Sequence, residues 1–165
     1  MISGIIVFII SFILDGLLSN IINQNSLFLP LCTIITIPLI YPYFKKNKLN
    51  DYYKLVIIFG ALYDMVYTNT IFVNITIFFI LAQITILFNK SLSDNIINFS
   101  FLMIISITSY RIITYFNYLL MSKKAFSFIT LIAGIYKSYL FNLIYGSILY
   151  IILEKVSFKY KIYRR

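Results

Sequence analysis

Long apolar runs recur from one end of this chain to the other, and they leave few folds open. No charged residue lies between Asp64 and Lys90, for example. Within hydrocarbon every backbone N–H and C=O must find a partner inside the protein, so only helices and closed barrels span it. Barrel strands alternate apolar and polar residues, whereas these runs are continuously apolar. The reading is an all-α integral membrane protein. Composition agrees: 61% of the 165 residues are hydrophobic and 12% are charged. An ordinary soluble domain has about half and roughly a quarter.

By the length a bilayer requires, six transmembrane helices are expected, over about 2–18, 27–44, 55–71, 72–88, 96–120 and 126–153. They make one polytopic membrane domain over 1–165, with no linker and no evident internal repeat. The first span lacks a basic leader and a cleavage site, so it reads as a retained helix. Pro30 opens the second span, with Pro38 and Pro42 further in, where they kink or fray it. Tyr41 and Tyr43 fit an interfacial aromatic belt. The segment from Lys45 to Lys54 is the most basic internal loop. Residues 69–74 must turn tightly between the third and fourth spans.

The net charge of +9 follows the membrane pattern and not that of a nucleic-acid binder, because most basic residues flank the spans. With the N-terminus inside, the cytoplasmic side receives Lys45, Lys46, Lys48, Lys54, Lys90, Lys155, Lys159, Lys161, Arg164 and Arg165. The other side receives Lys123 and Lys124. That asymmetry places both termini in the cytoplasm. The basic, aromatic tail then meets anionic lipid headgroups.

Four ionisable residues fall inside spans: Asp15, Asp64, Arg111 and Lys137. Such residues are costly in lipid and mark functional positions by default. Counted from the outer ends at ~1.5 Å per residue, they lie ~5, ~10, ~14 and ~16 Å deep. They are therefore expected to gather as a polar cluster in the outer half. Asp64–Arg111 is the favoured pair, since a guanidinium satisfies a carboxylate bidentately. Tyr67 and Asn69, close to Asp64, complete the candidate partner-binding set, and Gly60 and Ala61 allow another backbone to approach.

No catalytic constellation is visible. There is no histidine and one cysteine, Cys32, which reads as inert buried packing. These counts remove most zinc sites, the usual catalytic triads and any disulfide within the chain. No serine stands in a Gly-x-Ser-x-Gly context, and no glycine-rich phosphate loop is present. The expectation is a non-enzyme without a cofactor.

Three stretches carry a family resemblance: Ser11-Phe-Ile-Leu-Asp-Gly-Leu-Leu-Ser-Asn20, Ile40-Tyr-Pro-Tyr-Phe44 and, most specifically, Phe59-Gly-Ala-Leu-Tyr-Asp-Met-Val-Tyr-Thr-Asn-Thr70. The chain resembles the bacterial rod shape-determining MreD family in its low-GC Gram-positive form. The resemblance implies a fold similar to the substrate-binding subunits of energy-coupling factor transporters. It also implies a role in lateral peptidoglycan synthesis, with MreC as direct partner and MreB and RodA with its transpeptidase in the same complex. In the wider family a glycine often follows the aspartate motif by several residues, and Thr70-Ile-Phe-Val-Asn74 contains none. The alternative expectation is a vitamin-binding subunit of such a transporter, although the first span lacks the small alanine face that docks those subunits.

Overall fold

The computed structural model describes residues 2–21, 29–44, 48–68, 70, 72–89, 95–122 and 125–162. Asn69, the loop lysines Lys45, Lys46, Lys90, Lys123 and Lys124, and Arg164 and Arg165 lie outside them. So do the side chains of Lys159 and Lys161.

The described residues are helical, without strands, and form α1 (Ile2–Ile21), α2 (Cys32–Ile40), α3 (Leu49–Tyr63), α4 (Val73–Asn89), α5 (Ile96–Ser122) and α6 (Phe128–Ile162). A 3-10 turn, Tyr41–Tyr43, extends α2, and a π turn, Asp64–Thr68, extends α3. Three stretches are long and apolar enough to cross a membrane: Gly4–Ile21, Ile96–Ser122 and Phe128–Lys155. Cys32–Tyr43 and Val73–Asn89 are shorter apolar helices.

The helices pair as three antiparallel hairpins. In the first, Gly4 lies beside Ile40 and Phe44 while Asp15 meets Cys32. In the second, Tyr53 packs on Phe79 while Gly60 meets Asn74 and Ile75. In the third, Phe99 stacks on Tyr150 while Tyr115 meets Ser127. Asp15, Asp64, Arg111 and Lys137 consequently share one half of the bundle. Lys48, Lys54 and Lys155 belong to the opposite end.

Two expected segments differ. The second span is much shorter than expected: its α-helix has nine residues, about 14 Å of rise. Pro42 lacks the N–H that would continue the ladder, and the α-helix stops at Ile40. All nine residues of α2 are buried, and it packs against α1, α4, α5 and α6. Tyr41 is likewise core rather than belt, its ring 5.5 Å from that of Tyr52. The basic loop is also shorter than expected, because α3 begins at Leu49 with Asp51 in its first turn. A carboxylate there favours the helix N-terminus.

Phe72 accounts for the absent glycine. It occupies the left-handed region, with φ 67°, at the entry to α4. A non-glycine residue pays about 1–2 kcal/mol for that conformation. This is the position in 70–74 that a glycine would suit.

Gly60 sets how closely α3 and α4 approach. A Cβ there would lie 2.8 Å from Ile75 Cα and 3.2 Å from Asn74 O, both backbone atoms. At Gly134 a Cβ meets nothing within 4 Å. Gly60→Ala is therefore expected to destabilise by about 1–3 kcal/mol, as overpacking does. Gly134→Ala should be neutral or stabilising by about 0.5–1 kcal/mol. Thermal unfolding of the two variants in detergent measures the difference. Equal melting temperatures would contradict the close approach.

Candidate functional site: carboxylates on helix entries

The first residues of a helix present backbone N–H groups with no partner inside that helix. In hydrocarbon each orphan costs several kcal/mol. Two of these helix entries are satisfied by a carboxylate from the preceding helix.

Asp15 projects from α1 and is buried. Its Oδ1 accepts the Cys32 N–H at 2.7 Å and its Oδ2 accepts the Thr33 N–H at 2.8 Å. One carboxylate thus takes both oxygens to the first turn of α2. Asn142 of α6 holds the chain just before that turn. Its Oδ1 accepts Leu31 N–H at 2.8 Å, and its Nδ2 donates to Leu29 O at 2.8 Å and Ser138 O at 2.6 Å. Leu29 N–H donates to Lys137 O at 3.2 Å. The entry to α2 is therefore fixed from both α1 and α6.

Asp64 does the same for α4. Its oxygens accept Asn74 N–H at 3.0 and 3.1 Å and Ile75 N–H at 3.2 Å. Asn74 Nδ2 donates to Oδ1 at 3.0 Å, and the Thr70 hydroxyl donates at 2.5 Å. Thr68 and Thr70 hydroxyls are 2.7 Å apart, so the turn closes over the carboxylate. Widening of the last turn of α3 into the π form, which begins at Asp64, accompanies this reach. Such turns recur at functional or constrained positions.

Tyr67 ties the two devices together. Its hydroxyl donates to Phe12 O at 2.6 Å, and its ring lies 4.8 Å from Phe12 and 4.9 Å from Tyr63. Gly16 makes room, because a Cβ there would sit 2.6 Å from the Tyr67 hydroxyl. Ser11, one turn before Asp15, also points inward, 2.6 Å from the Tyr145 hydroxyl.

The expected Asp64–Arg111 ion pair is not made. Every polar contact given above for Asp64 comes from its own hairpin. Arg111 instead donates from Nε to Ser138 Oγ at 2.6 Å, with its guanidinium carbon 6.0 Å from the Tyr110 ring centre. The physical reason is that a helix N-terminus carries roughly half a positive charge and N–H donors already fixed in place. It serves the carboxylate without ordering a long side chain. The half-buried Lys137 side chain makes no ion pair with a described carboxylate. Asp15, Asp64, Tyr67 and Arg111 thus share one half of the bundle without forming one mutually neutralising cluster. Asn69 lies outside the described residues.

Arg111 also lines a cleft of about 170 Å³ between α5 and α6, with Thr114, Tyr115, Tyr118, Thr130 and Gly134. No group of three or more metal-ligating side chains occurs among the described residues.

No family model, curated protein or solved structure matches the chain. Its site is therefore read from its own geometry. That geometry exposes a signal that residue-by-residue reading passes over. Asp15-Gly-Leu-Leu-Ser-Asn20 and Asp64-Met-Val-Tyr-Thr-Asn69 share the pattern Asp-x-x-x-Ser/Thr-Asn. Each aspartate serves the entry of the following helix. The pattern is a short internal repeat where none was expected.

Removing either carboxylate strands at least two backbone donors. Asp64→Ala and Asp15→Ala are each expected to cost about 2 kcal/mol or more, with Asp64→Asn in between. Chemical or thermal denaturation in detergent measures the order. An alanine variant as stable as the parent would contradict the capping role.

Proposed function

We propose that the chain is a multi-pass protein of the bacterial cell membrane, with six transmembrane helices and cytoplasmic termini. We propose further that it is a non-enzymatic member of the rod-shape machinery of the MreD type. In this reading it organises lateral peptidoglycan synthesis by binding MreC, in a complex with MreB and RodA with its transpeptidase. The orientation rests on the charge asymmetry of the sequence. Lys48, Lys54 and Lys155 at the end opposite Asp15 and Asp64 accord with it.

One observation carries the scaffold reading. The stretch that bears the family resemblance, 59–70, spends its polar groups on internal geometry: Gly60 on α4 backbone, Asp64 on the α4 entry, Tyr67 on α1. A stretch used this way builds a rigid shape and not a reaction centre. What it leaves outside is apolar: Met65 is 74% exposed, Val66 57% and Phe72 67%. These side chains sit at the same hairpin end and form the surface proposed to receive the transmembrane part of MreC, by packing. Asp64 and Tyr67 act on the partner through this shape.

Met65→Ser with Val66→Ser is expected to lower co-purification with MreC several-fold while leaving the melting temperature nearly unchanged, as surface substitutions do. Depletion of the protein is expected to turn rods into rounded cells. Unchanged MreC recovery and retained rod shape would overturn the proposal. A stoichiometric vitamin bound to the purified protein would favour the transporter subunit instead.

A further inference from the structure

The third hairpin departs from the other two at the same place. Its entry is held by a phenol: Tyr115 Oη accepts Ser127 N–H at 2.8 Å and donates to Ser127 O at 2.9 Å. No acidic residue occurs between Asp94 and Glu154, a stretch that contains Arg111, Lys123, Lys124 and Lys137. Among the described residues, the two carboxylates in this half of the bundle, Asp15 and Asp64, are already bonded to the amides of α2 and α4.

Arg111 is thus a half-buried cation with no acidic residue in its own half of the hairpin. Its Nε is committed to Ser138, and its two terminal nitrogens have no hydrogen-bond partner among the described residues. Arg111 borders the α5–α6 cleft. Thr114, Tyr115, Tyr118, Thr130 and Leu131 belong to the same, mostly apolar lining, and Gly134 leaves one wall open. A guanidinium presents a planar fork that matches phosphate and carboxylate oxygens. At about 170 Å³ the cleft is smaller than the ~300–1,000 Å³ of drug-sized ligand pockets. It has room for a headgroup-sized anion.

We infer that the α5–α6 cleft binds a small anionic group, a phosphate or phosphate ester, on the free edge of Arg111. The phosphate of an anionic lipid and free phosphate share this chemistry. Beyond Arg111, α5 continues eleven residues to Ser122, ~16 Å at 1.5 Å per residue. The cleft therefore lies where the α5–α6 hairpin rises past the capped entries of α2 and α4. The inference is independent of the rod-shape reading.

The test uses the full-length protein. Native mass spectrometry compares retention of phosphatidylglycerol with phosphatidylcholine, and calorimetry measures binding of inorganic phosphate. The parent protein is expected to retain phosphatidylglycerol preferentially, to bind phosphate, or both. Retention of lipid without phosphate binding assigns the site to a headgroup, and phosphate binding assigns it to a free anion. Arg111→Gln is expected to lower the retained signal roughly tenfold or more, as loss of a charged hydrogen-bond donor does. Gly134→Leu fills the cleft while leaving Arg111 and Ser138 intact, and is expected to have the same effect in a protein that folds normally. No preference for either anionic probe in the parent, or parent-like binding by Gly134→Leu, would overturn the inference.

Discussion

A carboxylate from one helix seated on the first amides of the next is the interaction on which this bundle depends. Apolar burial alone does not position a helix in lipid, because lipid tails are as apolar as leucine. Unsatisfied amides discriminate far more strongly. In a nine-residue helix such as α2, entered through a proline-containing segment, the N–H groups of the whole first turn, Cys32 to Ile34, lack an i−4 partner. Asp15 and Asn142 take three of the amides at that entry, counting Leu31. This makes a buried short helix tolerable at the centre of the fold.

Packing then follows from the caps. Gly60 lets α4 come close enough for Asp64 to reach its amides. Tyr67, three residues beyond Asp64, crosses to α1 and lies over Gly16, the neighbour of Asp15. Phe8 and Phe59, with ring centres 4.0 Å apart, continue the α1–α3 contact down the bundle. The two capped entries are therefore mechanically linked through one tyrosine and two glycines. The third hairpin, whose entry is held by Tyr115 and not by a carboxylate, keeps its cation at the α5–α6 cleft.

Much of this was legible in the sequence, and the rest was hidden for identifiable reasons. Hydropathy announced the helices, and Asp64 announced itself as a carboxylate where one is expensive. The depth count puts the four ionisable residues in one cluster, whereas Asp15 and Asp64 are bonded to separate helix entries and Arg111 to Ser138. The carboxylates' partners are backbone groups and not a charged side chain. Backbone amides leave no trace in sequence, so Arg111 looked like the natural counter-ion when α4 itself was. The brevity of α2 was written in Pro38 and Pro42, but a continuous apolar run masked it. The Asp-x-x-x-Ser/Thr-Asn repeat was present in plain view. It gained meaning only once both aspartates were seen to serve the same purpose. Gly60 reads from sequence as a point of close approach, and the approaching backbone is α4.

The most direct measurement is amide hydrogen exchange, resolved by residue, in lipid nanodiscs. Cys32, Thr33, Asn74 and Ile75 N–H groups are predicted to be strongly protected in the parent protein. In Asp64→Ala, protection is predicted to fall at Asn74 and Ile75 first and to persist at Cys32 and Thr33. Fast exchange at these four amides in the parent, or unchanged protection at Asn74 and Ile75 in the variant, would contradict the claim that the carboxylates hold the helix entries.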